Sequence, residues 1–352
     1  VKVLFEPMSR LSDSATYDIT AWSLPYVYGM QAWALKEKLV TKDNISPSAK
    51  ANIQLDAYGY LVNYQSFNDA KLLAAMLKAG IKVRFAEKDF VYKTVMYKKG
   101  TLVILGKQNA SKIQDFIKLA GKFNSNVTAI ASGFMESGFD FGSDKLHQLK
   151  APVVAMLTGS ETSENASGEV WFYFDKELDY PITLINADEL RIDRLKDVDV
   201  LILPNGYYKI FKDKEEIGKL KSWVNQGGKI IAMENAATAL AALDGDMKIK
   251  KEDDDEKDPA ANDKYADIKR YENREKDGLK NNVPGAIYKV ELDNSHPLAF
   301  GYPNYFFTLK MNTDLFEFGK NTWNVGVIKK EKQVAGFVGS AIARALMVAF
   351  LI

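Results

Sequence analysis

The chain has 352 residues, 47% of them apolar and 12% aromatic, with Lys+Arg 47 against Asp+Glu 46 and a formal net charge of +1. This length and apolar content suit two buried cores better than one, and the balanced charge draws the chain to neither nucleic acid nor an anionic membrane surface. Cysteine is absent, which excludes thiolate nucleophiles, disulfides, thiolate zinc sites and iron–sulfur clusters.

His147 and His296 are the only imidazoles, and they lie far apart in sequence, so no metal centre is expected within this chain. No stretch reaches the roughly 20 apolar residues of a membrane-spanning helix, and the start lacks the basic-then-apolar form of a signal peptide. The chain opens on Val1 and reads as a mature or excised piece of something longer, which leaves the compartment open.

Residues 1–48 form an aromatic-rich arm. Asp13, Ser14 and Thr20 supply turn or cap chemistry, and the spacing predicts a short helix over Tyr28–Leu39. Trp22, Tyr26, Tyr28 and Trp33 are expected to pack against a neighbouring domain, with a carbohydrate or peptide surface as the alternative.

Residues 49–137 read as a small α/β domain. GYLVNY (59–64) is β-prone, and NDAKLLAAMLKAG (68–80) carries Leu72, Leu73, Met76 and Leu77 at helical spacing with Gly80 as its stop. IKVRFAE, TLVILGK, a helix near 110–122 and NVTAIAS follow, an order that predicts a partly parallel sheet. The Gly/Ser-rich stretch 132–145 reads as the joint to a second domain, 138–352. There the strands APVVAML, YPITLIN, VDVLILP and KIIAM are nearly continuously apolar. They alternate with a helix over Glu169–Leu178, a short RIDRL helix and DKEEIGKLKSWVNQ. The expected architecture is α/β throughout, the second domain being a doubly wound, flavodoxin-like parallel sheet covered on both faces.

The span 244–283 is a charged insertion, solvated or disordered by composition. Its EDDDE run lacks the alternating ligands and central Gly of a calcium loop. GAIYKVELD and FGYPNYFFTLK then resume a strand-like pattern.

In an open parallel sheet, ligands sit at the carboxyl ends of the strands. The candidate positions are therefore the loops 159–168, 204–208 and 234–237 and the cap residues Asp188 and Glu189. The first loop is Ser/Thr/Gly-rich like the phosphate loop of a flavodoxin, but Glu161 and Glu164 place negative charge where phosphate would bind. In PNGYY (204–208), Gly206 is free to take a positive φ, and the backbone N–H groups around Gly206 and Tyr207 are candidate oxyanion donors, with a plain tight turn as the alternative.

Glu234, next to Asn235, stands on the sharp strand-to-helix turn of GGKIIAMENAATALAAL (227–243), where many α/β enzymes keep a nucleophile. A carboxylate there is expected to cap the helix. As the alternative, it would serve as a general base if His147 or His296 came close. Gly-x-Ser-x-Gly, His-Glu-x-x-His and Walker-type motifs are all missing from the sequence.

VDVLILPNG and GGKIIAMENAATAL resemble the oxyanion-side strand and the elbow of the class I glutamine amidotransferase-like fold. Matched residue by residue, Glu234 stands where active members carry the nucleophilic cysteine, and the catalytic His that commonly follows has no counterpart. The resemblance therefore implies a degenerate site.

A second resemblance covers most of the chain. VKVLFEP, TYDITAWSLPYVYGMQAWAL, FNDAKLLAAMLKAGIKVRFAEKDF, GEVWFYFDKELDYPITLI, VLILPNGYY, HPLAFGY and VAGFVGS together resemble the region that follows the catalytic domain in bacterial zinc carboxypeptidase-like proteins. It implies a non-catalytic accessory region that packs against the parent's peptidase domain, forms a homo-oligomer or helps bind substrate. It also implies a periplasmic or secreted setting, with zinc only in a catalytic domain outside these residues. A hydrolase, or a flavodoxin-like ligand-binding module using the strand-end loops, stands as the alternative.

Overall fold

The computed structural model of the chain describes residues 24–30, 32–33, 35–39, 54–243, 245, 247–250, 270–280, 282–345 and 348–350. Asp13, Ser14, Thr20, Trp22 and the EDDDE run lie outside these residues. The chain divides into two compact units, Asn44–Leu243 and Val1–Asp43 with Asp244–Ile352.

The arm's helix is a single turn, α1 (Leu24–Val27). Pro25 fits its first turn without losing a hydrogen bond, and Gly29, at φ 60°, ends it. The helix expected over Tyr28–Leu39 does not form among the described residues there. Met30, Trp33, Leu35 and Leu39 are exposed, so no apolar face stabilises a helix this short.

The larger unit begins with β1 (Gly59–Val62), α2 (Phe67–Lys78), β2 (Arg84–Ala86), β3 (Phe90–Tyr92), β4 (Val95–Tyr97), β5 (Leu102–Leu105), α3 (Ile113–Lys122), β6 (Val127–Ile130) and β7 (Leu146–Gln148). Ser66 and Asp69 start α2 with a reciprocal capping box. The sheet order is β6-β1-β5-β2-β7, and every pairing is antiparallel. The partly parallel sheet expected from the element order is thereby corrected. Each β–α–β crossover skips one position, and the intervening strand runs the other way, so two split β–α–β units interleave in a ferredoxin-like arrangement. Tyr60, Val62, Leu72, Met76, Ile104 and Phe116 fill the helical face. Leu61, Val103, Phe90, Tyr97 and Phe141 fill the other, beneath the β3–β4 hairpin.

The same unit continues with β8 (Val154–Thr158), α4 (Glu164–Phe172), β9 (Ile182–Asn186), β10 (Val200–Leu203), α5 (Lys214–Asn225), β11 (Lys229–Ala232) and α6 (Asn235–Ala241). The Ser163 side chain caps α4, so the helix starts at Glu164 rather than Glu169. A π-helical turn, Tyr173–Glu177, extends it. The four strands are parallel in the order β11-β10-β8-β9, a doubly wound sheet whose strand order reverses between β8 and β10. One face packs Ala155, Leu157, Leu201 and Leu203 against Leu220 and Trp223 of α5 and Ala236 of α6.

The opposite face, Val154, Met156 and Ile202, packs against Val170 of α4 and also against Ala74 and Leu77 of α2. Helix α2 therefore serves both sheets. Lys71–Glu177 and Lys78–Asp179 ion pairs, each 2.6 Å, and the stacked rings of Phe67 and Tyr173, 5.9 Å apart, fasten this contact. Residues 132–145, read from sequence as a joint between domains, run from β6 to β7 within one sheet. The span 244–352, expected as part of the second domain, groups instead with 1–43.

The other unit holds α7 (Arg274–Leu279), β12 (Gly285–Leu292), β13 (Tyr305–Lys310), β14 (Gly326–Phe337), α8 (Ser340–Ala345) and β15 (Val348–Phe350). Its sheet, ordered β13-β12-β14-β15, is antiparallel. Its core is Val283, Ala286, Tyr288, Val290, Leu315, Ile328 and Ile342. Tyr26 of α1 lies against Phe307 of β13, ring centroids 5.0 Å apart. Among the described residues no helix is long and apolar enough to cross a membrane.

Candidate functional site

The carboxyl ends of β8, β9 and β10 bring three segments of the larger unit together. The turn after β8 is tight because Gly159, at φ 98°, lies where a Cβ would meet Asn186 Oδ1 at 2.3 Å. It sends the next residues across to the turn after β10. Ser163 N–H donates to Asn205 O at 2.8 Å and Tyr207 N–H to Glu161 O at 2.8 Å, and Thr162 bridges Gly206. Gly206 lies where a Cβ would stand 2.3 Å from Glu161 O.

These contacts correct the reading of 204–208. Gly206 is not among the residues at positive φ, and what requires a glycine is the close approach of the opposing backbone. The Tyr207 N–H, a candidate oxyanion donor, is spent on Glu161 O.

Glu161 is turned inward, its side chain 5% exposed. Its Oε2 accepts from Lys209 N–H at 2.9 Å, and its Oε1 lies 3.0 Å from Lys209 Nζ. The same ammonium donates to Asp188 Oδ1 at 2.9 Å, and the Ser160 hydroxyl donates to Asp188 Oδ2 at 2.7 Å. Lys209, and then Ser160, hold the Asp188 carboxyl below its usual range, while Asp188, and then Glu161, hold Lys209 above its own. Burial, helped by the Glu161 charge, raises the Tyr208 phenol, whose OH donates to Pro204 O at 2.7 Å. The loop 159–168, whose acidic residues speak against a phosphate cradle, is short, ends at the α4 cap, and is filled by the Glu161 carboxylate.

The elbow follows β11. Glu234 has φ 50° and ψ −119°, a conformation costly for any residue but glycine. The side-chain cap expected of it is not made, and the residue is exposed. It is the Glu234 carbonyl that enters the helix, accepting from Thr238 N–H at 3.1 Å and Thr238 Oγ1 at 3.3 Å. Asn235 Nδ2 donates to the Tyr207 hydroxyl at 3.2 Å, and Tyr207 is 79% exposed. Gly206, Tyr207, Glu234 and Asn235 are therefore brought to one strand-end face.

His147 does not join them. His147 lies on β7 of the antiparallel sheet, its Nε2 2.6 Å from Glu87 Oε2, and that hydrogen bond holds the Glu87 carboxyl below its usual range. His296 belongs to the other unit, where its Nδ1 accepts from Leu298 N–H at 3.3 Å and caps a short turn. Among the described residues no group of three or more His, Cys, Asp and Glu is placed to hold a metal ion.

Sequence reasoning flagged Glu161 only as an unwelcome charge, Asp188 only as a cap, and Lys209 not at all. The available signal was an acid in a Ser/Thr/Gly turn directly after an apolar strand, a position that calls for a cation from elsewhere in the fold.

No family model matches the sequence, and no curated protein matches it. Solved structures do. A glutamine amidotransferase from Thermotoga maritima is 13% identical over 55% of this chain and 74% of its own, with a TM-score of 0.33. A protein described as a GMP synthase component from Thermoplasma acidophilum is 13% identical over 50% and 73%, at 0.33. A protein described as ThuA-like from Bacteroides uniformis is 14% identical over 54% and 76%, at 0.34. At these scores the likeness adds nothing to the α/β architecture, which rests on the parallel sheet itself.

Proposed function

We propose that the chain is a non-catalytic accessory region of a larger zinc carboxypeptidase-like protein. In this reading its strand-end face is a degenerate amidotransferase-like site, kept for packing, oligomerisation or substrate binding. The observation that carries it is the strained elbow at Glu234, which presents an exposed carboxylate. Among the described residues, no hydrogen bond or ion pair involves that carboxylate. A general base or nucleophile needs a partner to set its proton affinity and orient it, and the turn opposite has committed its Tyr207 N–H to Glu161. The link to a peptidase parent rests on the sequence resemblance alone.

Glutamine and p-nitrophenyl acetate hydrolysis by the chain and by Glu234→Gln test the first part. Both proteins are expected to match buffer, and turnover that disappears in the variant would overturn the reading. The reading frame upstream of Val1 tests the second part. A zinc-peptidase domain there supports the parentage, and a start codon removes it.

A further inference from the structure

The antiparallel-sheet unit carries a cleft that the reading above does not use. Its volume is about 580 Å³, and it is lined by Glu291, Leu292 and Asp293 at the end of β12, Val327, Ile328 and Lys329 at the start of β14, and Phe318 and Asn324 from the intervening loop. The loop is clamped. Gly319 N–H donates to Asn324 Oδ1 at 2.9 Å and Asn324 Nδ2 returns a bond to Gly319 O at 3.0 Å, so the residues between them are held as a small ring.

That clamp presents aromatic surface to solvent. Phe318, in the lining, is 50% exposed, and Trp323, next to Asn324, is 74% exposed. The Trp323 ring lies 6.2 Å from the His296 ring, and His296 N–H donates to Asp293 O at 3.1 Å. An indole this exposed contributes little to the unit's own core; it stands at the edge of the cleft, next in chain to the lining residue Asn324 and beside His296, whose backbone bonds Asp293.

The charged groups of the lining, Glu291, Asp293 and Lys329, sum to −1. Lys329 and Glu291 form an ion pair, and the Asp293 carboxylate accepts from Ser295 N–H at 3.0 Å and from the Ser295 hydroxyl at 2.5 Å. What remains is an apolar floor of Leu292, Val327 and Ile328, flat aromatic faces at the edge, and hydrogen-bonding oxygens and nitrogens around them. A few polar groups on a mostly apolar concave surface make a ligand site. Flat rings beside carboxylate oxygens that accept hydrogen bonds suit a molecule that has both C–H faces to stack and hydroxyls to donate.

We infer that this cleft binds an uncharged carbohydrate chain, stacked on Phe318 and Trp323 and hydrogen-bonded along the Glu291–Asp293 edge. Titration calorimetry of the whole chain with cellohexaose, chitohexaose and maltohexaose tests it. At least one is expected to give a saturable isotherm at millimolar sugar. Trp323→Ala should weaken that binding about tenfold, the effect of losing one stacked ring, with its far-UV circular dichroism unchanged because the side chain is exposed. Phe318→Ala should weaken it as well. The inference is overturned if none of the three sugars gives a saturable isotherm, if both aromatic variants bind undiminished, or if a neutral peptide saturates the cleft and the sugars do not.

Discussion

The two halves of the strand-end face differ in how their geometry is secured. On the β8–β10 side, two turns interlock backbone to backbone, and an ammonium pairs with a buried carboxylate and a second carboxylate. On the β11 side, a non-glycine residue sits in a strained conformation, and its own side chain makes no cap bond. The first half has the marks of a structural lock. The second is a sharp strand-to-helix turn whose carboxylate makes no hydrogen bond or ion pair among the described residues.

Substitutions can break or sharpen this contrast. The largest effect is expected from Gly206→Ala, whose new methyl would stand 2.3 Å from Glu161 O. A loss of about 3 kcal/mol in urea unfolding is expected, and a loss below a quarter of that would show that the two turns are not locked. Lys209→Met should lower the urea midpoint by less. Because the folded state depresses the Asp188 carboxyl, that group's contribution is present above its unfolded value of about 4 and disappears as pH falls through its folded value. The gap between wild type and Lys209→Met should accordingly narrow from neutral pH to about pH 3.

Glu234→Gly should act in the opposite direction on the other half, raising stability by about 1 kcal/mol by relieving the backbone. A destabilisation would mean that the carboxylate holds the elbow after all. Asn235→Ala, which removes only an exposed bond to Tyr207, should change stability by less than about 0.5 kcal/mol.

Much of this fold was legible in the sequence. The parallel strands announced themselves as continuous apolar runs, and the strand-to-helix turn at Glu234 followed from the Gly-Gly turn and the Ala-rich helix around it. Strand direction in the first sheet was not legible, because a β–α–β order is the same whether the crossover lands beside its partner or one strand beyond it. The double service of α2 was equally hidden. Leu72 and Met76 mark one apolar stripe, but Ala74 and Leu77 look like the ordinary margin of that stripe until the second sheet is seen against them. At the site, the backbone torsion of residue 234 was expressed in the elbow pattern, whereas the Glu161–Lys209 pairing spans 48 positions and leaves no local trace.

The shared helix limits how this molecule can be taken apart. A fragment cut at residue 138 to isolate the parallel sheet would retain α4 but lose Ala74 and Leu77, baring Val154, Met156 and Ile202 to water. Such a piece would be expected to reach inclusion bodies in expression trials, whereas a cut before residue 54 would leave that seam closed. Any recombination that transplants the Glu234 elbow into another protein has to carry the preceding ferredoxin-like sheet with it.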